Sequence, residues 1–126
     1  MNKKKNQTVL IVEDDEATIQ LLEIYVRFAG YKTLVAHDGR SALELVQSKK
    51  PSLVVLDLML PELHGVAVCH HIKTNPQTKH IKVLVVSVKS FPADQKQVAE
   101  AGADMFMPKP LEKDEFIGAV NKLLGA

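Results

Sequence analysis

The sequence predicts an α/β fold in which one parallel sheet carries helices on both faces. Short apolar, β-branched runs alternate with segments of helical periodicity, which gives five strands and five helices in 126 residues. Such alternation in a short chain requires right-handed crossovers between parallel strands. The stretch from Ser52 to Gly65 is a nearly continuous apolar run, interrupted by Asp57 and stopped by Pro61, as is typical of a strand buried on both faces.

Two strand-helix units are predicted before this central strand. Thr8 to Val12 and Lys32 to Ala36 are the strands. The first helix begins at Asp15 and stops at Gly30, and the second spans Ser41 to Gln47. The apolar residues predicted to face inward are Ile19, Leu22, Val26 and Ala29, with Leu21, Tyr25 and Phe28 widening that face, and then Ala42, Leu43 and Val46.

The second half of the chain continues the same alternation. Helices are predicted over Val66 to Thr74, Ala93 to Ala101 and Lys113 to Leu124, with strands over Ile81 to Val88 and Met105 to Met107. The fourth helix is dominated by polar residues, so we expect it to pack lightly. The apolar face of the last helix consists of Phe116, Ile117, Val120, Leu123 and Leu124.

Composition favours one soluble domain in a reducing compartment. Charged residues make up 25% and apolar residues 46% of the chain, with a net charge of +1, which gives no electrostatic signature of nucleic-acid binding. No apolar run approaches the roughly 18 residues needed to span a bilayer, and no secretory signal is visible. The lone Cys69 allows no internal disulfide. We expect a cytoplasmic protein with a flexible basic N-terminus over residues 1–7 and one domain over 8–126.

Polar residues stand at the carboxyl ends of four of the five predicted strands. Glu13 and Asp14 follow the first strand, Asp57 ends the third, Ser87 ends the fourth and Lys109 follows the fifth. Ligands bind at this edge of an open parallel sheet. If the strand order is 2-1-3-4-5, the three carboxylates come together and should hold a cation. Oxygen ligands without paired Cys or His favour Mg²⁺.

This set of residues suits phosphoryl transfer to an aspartate. A carboxylate is a competent nucleophile toward phosphorus, and a metal ion together with Lys109 can neutralise charge on the transferring group. Asp57 would then become an acyl phosphate. Ser87 could donate its hydroxyl to a phosphoryl oxygen after modification, which would provide a switch.

From Thr8 to Leu124 the chain resembles the receiver domain of a two-component response regulator, of the single-domain chemotaxis-receiver kind. The matching motifs are Val-Leu-Ile-Val-Glu13-Asp14, Leu-Asp57-Leu-Met-Leu-Pro61 with Gly65, Val-Val-Ser87, and Ala-Gly-Ala-Asp-Met-Phe106 leading to Lys109-Pro110. The resemblance implies a flavodoxin-like, doubly wound (βα)5 fold with strand order 2-1-3-4-5.

The resemblance also implies a role for each matching residue at the phosphorylation site. Asp57 is then the phosphoacceptor, and Lys109 binds the phosphoryl group. Mg²⁺ is held by Glu13, Asp14, Asp57 and the backbone carbonyl of Met59, with Asp14 favoured over Glu13 as a direct ligand.

A second group of residues is implied to carry the signal. Ser87 is the hydroxyl whose position changes, and Phe106 is the aromatic whose rotamer follows it. Lys109-Pro110 is implied to be a cis peptide bond. Met59 and Lys89 lie two residues beyond Asp57 and Ser87, and because both are bulky, slow self-dephosphorylation is expected.

Several other residues have simpler interpretations. Asp15 and Glu16 are predicted to be acids of a first helical turn, favourable at a helix N-terminus. His64 replaces the acid often found before the glycine in this family, and little effect on phosphorylation is expected. The neighbours Cys69, His70 and His71 point in different directions on a helix, so they are not predicted to bind metal.

Three other functions fit the sequence less well than a phosphorylation switch. A phosphohydrolase of the haloacid dehalogenase type needs a second Asp two residues after the nucleophile, where this chain has Met59. A pseudo-receiver is disfavoured because all five polar residues at the strand ends are present. A flavin-binding module needs a phosphate-binding loop after the first strand, where acids stand instead.

The sequence therefore predicts a signalling switch rather than an enzyme. It would accept a phosphoryl group from a sensor histidine kinase or phosphotransfer protein and bind neither nucleic acid nor membrane itself. Output is expected through the face of the fourth helix, fifth strand and fifth helix. The recipient would be a downstream protein or an output domain outside this chain; the sequence leaves both possibilities open.

Overall fold

The computed structural model describes residues 6–61, 63–88 and 91–125. The strands are β1 (Thr8–Val12), β2 (Lys32–Ala36), β3 (Leu53–Asp57), β4 (Lys82–Ser87) and β5 (Met105–Pro108). The helices are α1 (Glu16–Phe28), α2 (Gly39–Lys49), α3 (Gly65–Thr74), α4 (Pro92–Glu100) and α5 (Lys113–Leu123). Within these ranges no helix combines the length and apolar character needed to cross a bilayer.

The five strands form one parallel sheet in the order β2-β1-β3-β4-β5, as the resemblance implied. Strand β3 is central, with all five of its residues buried, whereas the edge strand β5 has none buried. The register pairs Val12 of β1 with Leu56 of β3, and Leu56 in turn with Val85 of β4. The carboxyl ends of these three strands therefore lie side by side.

Two hydrophobic layers sandwich the sheet, because successive side chains of a strand point to opposite faces. One layer packs α2, α3 and α4 against one face, and the other packs α1 and α5 against the opposite face. Representative buried members of the first layer are Leu10, Val54, Val68, Ile72 and Val98, and of the second are Ile11, Val55, Leu22, Val26 and Phe116. As predicted, α4 packs lightly, and Val98 is its one buried residue.

The inward face of α1 is narrower than the sequence predicted. Ile19, Leu22 and Val26 are buried. Leu21 and Phe28, however, are 44% and 70% exposed, so the prediction that they widen the buried face was wrong. At 100° per residue, Leu21 and Phe28 lie roughly 130–150° around the helix from the centre of the face formed by Ile19, Leu22 and Val26, so they point away from the sheet.

Helix boundaries follow the capping residues. Helix α2 begins two residues before its predicted start because the Asp38 carboxylate accepts a hydrogen bond from the Ser41 backbone N–H at 2.7 Å. Asp15 caps α1 in the same way, accepting from Thr18 N at 2.9 Å. It therefore precedes the first turn in which it was predicted, and only Glu16 occupies that turn.

The start of α3 packs directly against the strand that carries Asp57. A Cβ added to Gly65 would lie 2.5 Å from the Asp57 carbonyl oxygen and 2.6 Å from the Leu58 Cα. No side chain fits there without moving the backbone. Gly65 N also donates to the Leu58 carbonyl at 3.1 Å. A glycine at this position thus lets helix and strand approach closely.

We predict that Gly65→Ala destabilises the fold by roughly 2 kcal/mol or more, because the new methyl group overlaps backbone. Gly118 in α5 is the matched control, since a Cβ there meets nothing within 4 Å. Gly118→Ala should stabilise the protein by about 0.5–1 kcal/mol through better helix propensity. Urea denaturation of both variants would measure the difference; equal effects would contradict the close packing of Gly65.

Candidate functional site

The ends of β1, β3 and β4 bring the predicted polar residues to one edge of the sheet. Glu13, Asp57 and Ser87 are almost completely buried, at 2%, 6% and 0% exposed. Asp57 pairs in register with Val86, so Ser87 lies one residue beyond it on the neighbouring strand. Burial of two carboxylates among apolar strands requires a compensating charge.

The ammonium of Lys109 provides that charge. Its Nζ donates to Glu13 Oε1 at 2.6 Å and to Asp57 Oδ2 at 2.9 Å. The Lys109 backbone N–H donates to the Ser87 carbonyl at 2.9 Å, which fixes the start of the loop after β5. The Lys109–Pro110 peptide bond is cis, as the resemblance implied. Lys109 thus ties β1, β3 and β4 together at the site.

Glu13 is held by its second oxygen as well. Oε2 accepts the backbone N–H groups of Asp14 at 3.1 Å and Asp15 at 3.2 Å. Burial raises the pKa of Glu13 above its ordinary value, and the nearby Asp57 charge adds to this, although the hydrogen bond from Lys109 opposes both. The Glu13 carboxylate is therefore fixed in orientation and sensitive to loss of Lys109.

For the pKa of Lys109, the neighbouring charges outweigh the effect of burial. Burial alone would lower its pKa, but the hydrogen bonds and charges of Glu13 and Asp57 outweigh burial and raise the pKa above the ordinary lysine value. The group is consequently a permanent cation at neutral pH. The sequence predicts a metal cation among these carboxylates, whereas in the structure the Lys109 ammonium contacts two of them, Glu13 and Asp57.

Asp57 keeps one oxygen oriented by its own loop. Oδ1 accepts the Met59 backbone N–H at 3.0 Å, while Oδ2 faces Lys109. Asp14 is exposed at the same edge, unlike Glu13. Across residues 6–61, 63–88 and 91–125, no three His, Cys, Asp or Glu side chains form a ready-made metal cluster. The available donors are all oxygens, the type that Mg²⁺ prefers.

The two predicted switch residues lie on adjacent strands. Ser87 ends β4 and is fully buried. Phe106 on β5 pairs in register with Val85, two residues before Ser87. Phe106 is half-buried against the layer that contains Val98 and Ala101. Its ring therefore packs beside α4.

The other singled-out residues are structural, or fall outside the described chain. Cys69 is buried, its Sγ lies 3.6 Å from the Ala101 carbonyl oxygen, and burial raises its pKa to about 11. The His70 and His71 rings lie 6.4 Å apart in an edge-on arrangement. Met59 is 53% exposed. Residues 1–5 of the predicted flexible N-terminus lie outside the described residues. Lys89 does too, so slow self-dephosphorylation stays a prediction.

Sequence reasoning missed an apolar groove beside Lys109. A cavity of about 320 Å³ opens between α1 and the loops after β4 and β5. Its apolar wall includes Leu21, Val88, Pro110 and Leu111. Leu21 was assigned to the core because its spacing fits a broad helical face. Leu21 lies in the turn of α1 that follows Asp15 and Glu16, close in sequence to the acids at the end of β1. This proximity was the available signal that it could border the site.

Fold and site together define a signalling module of the two-component type. The chain belongs to the response regulator receiver domain family, which matches residues 9–121. Receiver domains of these systems are phosphorylation-dependent switches.

Individual relatives agree with this assignment. The polar-differentiation response regulator DivK of Brucella anthropi is 29% identical over 119 residues, which cover 94% of this chain and 97% of DivK. A putative response regulator from Chloroflexus aurantiacus has a structure that superposes with a TM-score of 0.90 at 30% identity, covering 95% of this chain and 98% of the other.

A second similar structure was determined with a metal ion. The receiver domain of sensor histidine kinase PA1611 from Pseudomonas aeruginosa, with a magnesium ion coordinated in its active-site cleft, superposes with a TM-score of 0.88. It is 21% identical and covers 95% of this chain and 98% of its own, so it supports the fold alone.

We predict that Lys109→Met lowers the free energy of unfolding by roughly 2 kcal/mol at pH 7, because two buried carboxylates lose their counter-ion. Lys122→Met, on an exposed position of α5, should change it by about 0.5 kcal/mol or less. Adding Asp57→Asn to Lys109→Met should recover part of the loss. Denaturant titration of the four proteins checks this; equal stability of the two lysine variants would contradict a stabilising role for the buried ion pair.

Proposed function

We propose that Asp57 accepts the phosphoryl group by which this receiver domain switches. The observation that carries the proposal is the setting of its carboxylate, with one oxygen fixed by the Met59 N–H and the other beside the Lys109 ammonium. Both contacts hold the nucleophile at the open edge of the sheet. They also place positive charge next to the oxygen that faces an incoming phosphoryl group.

The transfer begins with attack of an Asp57 oxygen on the phosphorus of a phosphohistidine. A P–O bond forms as the P–N bond breaks, and the imidazole leaves with the bonding electron pair. Lys109 is 2.9 Å from Asp57 Oδ2 and offers its ammonium to the oxygens of the transferring group. Since the hydrogen bonds and charges of Glu13 and Asp57 outweigh burial and raise the pKa of Lys109, no proton needs to reach it before the reaction.

Mg²⁺ would bind at the acidic edge. The residues that would hold it are Glu13, Asp14, Asp57 and the Met59 carbonyl, a set of oxygen donors. When bound, the ion neutralises charge on the phosphoryl oxygens. Exposed Asp14 is the carboxylate best placed to approach an ion from solvent, because Glu13 is already fixed by three hydrogen bonds.

The buried strand ends connect the modification to the surface. After phosphorylation, the Ser87 hydroxyl would donate to a phosphoryl oxygen and move toward Asp57. That shift changes the space beside β5, into which the half-buried Phe106 can turn. The face formed by α4, β5 and α5 would thereby change its contacts with a downstream protein or output domain.

Intact mass after incubation with acetyl phosphate tests the acceptor directly. Wild-type protein with Mg²⁺ should gain one phosphoryl group, and chelation of Mg²⁺ should reduce the rate by at least tenfold. Asp57→Asn removes the nucleophilic oxygen and should abolish the gain. Asp94→Asn on α4 is a matched control that keeps the gain. A phosphoryl group on Asp57→Asn at the wild-type rate would contradict the assignment.

We further propose that the phosphorylated donor protein docks in the apolar groove beside Lys109. A donor histidine must reach Asp57, so the contact surface has to border the site opening. Leu21 and Val88, 44% and 66% exposed, lie there with Pro110 and Leu111. Exposed apolar side chains grouped around a polar site are typical of a protein interface.

We predict that Leu21→Ser slows transfer from a phosphorylated histidine phosphotransfer protein about tenfold, because it removes an exposed apolar side chain from the wall of the groove. Labelling by acetyl phosphate should not change, since this small donor needs no docking surface. Ile24→Ser, also exposed on α1 but outside the groove, is the control. Equal rates for both variants with the protein donor would place the docking surface elsewhere.

A further inference from the structure

The N-terminus of α3 is capped by an imidazole. His64 is the N-cap residue, and its Nδ1 accepts the backbone N–H of Val66 at 3.2 Å. A ring nitrogen accepts a hydrogen bond only while it carries no proton. Unlike Asp15 and Asp38, which cap α1 and α2 with carboxylates, this cap is lost when its nitrogen is protonated.

We propose that His64 is a positioning residue for Asp57, and that protonation of its ring slows phosphoryl acceptance by releasing the start of α3. The inference rests on the proposed role of Asp57 as acceptor. The sequence alone predicted little effect of His64 on phosphorylation. The hydrogen bond to Val66 is the reason to assign it a role.

The coupling runs through Gly65, the first residue of α3. Its backbone packs against the Asp57 carbonyl so closely that a methyl group would not fit, and its N–H donates to the Leu58 carbonyl. The His64 carbonyl accepts from Val68 N at 3.1 Å, which closes the first helical turn. Any loosening of this turn therefore reaches the backbone that directly follows the Asp57 side chain.

Asp57 depends on that backbone for its orientation. The Met59 N–H holds Asp57 Oδ1 at 3.0 Å, and Leu58 lies between the two. If Gly65 moves away from Leu58, the peptide that presents the Met59 N–H loses its support. The carboxylate would then be held by Lys109 alone, and a smaller fraction of molecules would present it in the reactive geometry.

Protonation acts on the cap in two ways. It removes the acceptor for Val66 N, and it places a cation beside the partial positive charge of a helix N-terminus. His64 is exposed, so the proton comes directly from solvent. Both effects favour an unwound first turn as the pH falls.

Other titratable groups lie near His64, and their contributions to the pH dependence have to be distinguished from that of His64. His70 of α3 and Glu100 of α4 line the same groove as His64. Arg40 and Glu44 of α2 lie with Leu63 on the other side of the loop. Glu62 precedes His64 by two residues and lies outside the described ranges. Variants at His64 itself, together with a His70 control, isolate the ring in question.

The experiment compares rates of phosphorylation by acetyl phosphate in Mg²⁺ from pH 8 to pH 5.5, measured by intact mass on the full chain. His64→Asn keeps a capping side chain that does not titrate, and His64→Ala has no cap. Dividing each rate by that of His64→Asn at the same pH cancels the titration of the donor and of all other groups.

At pH 8 the ratio of wild type to His64→Asn should be close to one, and by pH 5.5 it should fall about threefold or more. His64→Ala should be slower than His64→Asn by a similar factor at every pH. His70→Asn should retain the wild-type fall. A wild-type ratio that stays constant with pH would overturn the proposal.

A second readout separates this inference from the proposed function. The Val66 amide proton should shift, and exchange faster with solvent, as the His64 ring titrates in NMR spectra; the same amide in His64→Asn should not change over this pH range. If no variant is phosphorylated at any pH, Asp57 as acceptor fails. If the Val66 amide signal does not change as the His64 ring titrates, the proposed role of the His64 cap is wrong.

Discussion

The contact of one ammonium with two buried carboxylates is the constraint on which the site depends. Strands β1 and β3 end in acids that apolar packing deprives of water, and such a sheet edge is stable only with a cation between them. Lys109 reaches Glu13 and Asp57 from the loop after β5. The same contact therefore closes the carboxyl edge of the sheet and holds the Asp57 carboxylate in place, so one side chain sets both the packing and the geometry of the site.

The surroundings of this ion pair divide the site into a fixed and an adjustable part. Glu13 accepts hydrogen bonds at both oxygens and is almost fully buried, so its side chain is held in one position. Asp14 is exposed, and Asp57 ends β3 next to a loop that packs against Gly65. A small modification at the adjustable side can therefore alter the loop while the fixed side keeps the sheet intact.

Most of the fold was predictable from the sequence, because strand burial and turn residues agree along the whole chain. The start of the central strand followed from Pro51, whereas the strand ends at Asp57, well before Pro61. The polar strand ends identified the edge that holds Glu13, Asp57 and Lys109. The strand order came from family resemblance. The sequence does not show which face of each helix meets the sheet, and the features that were not predicted depend on this. Leu21 has core-like spacing yet borders a groove, and His64 has no pattern that reveals a cap.

The ends of the described chain lie at the sheet edge opposite the site. Gln7, just before β1, donates through Nε2 to the Leu124 carbonyl at the end of α5, 3.5 Å away. Five residues of β1 separate Gln7 from Glu13, a span of about 17 Å. The domain can therefore be inserted into, or joined to, another polypeptide through neighbouring attachment points without covering the acidic edge.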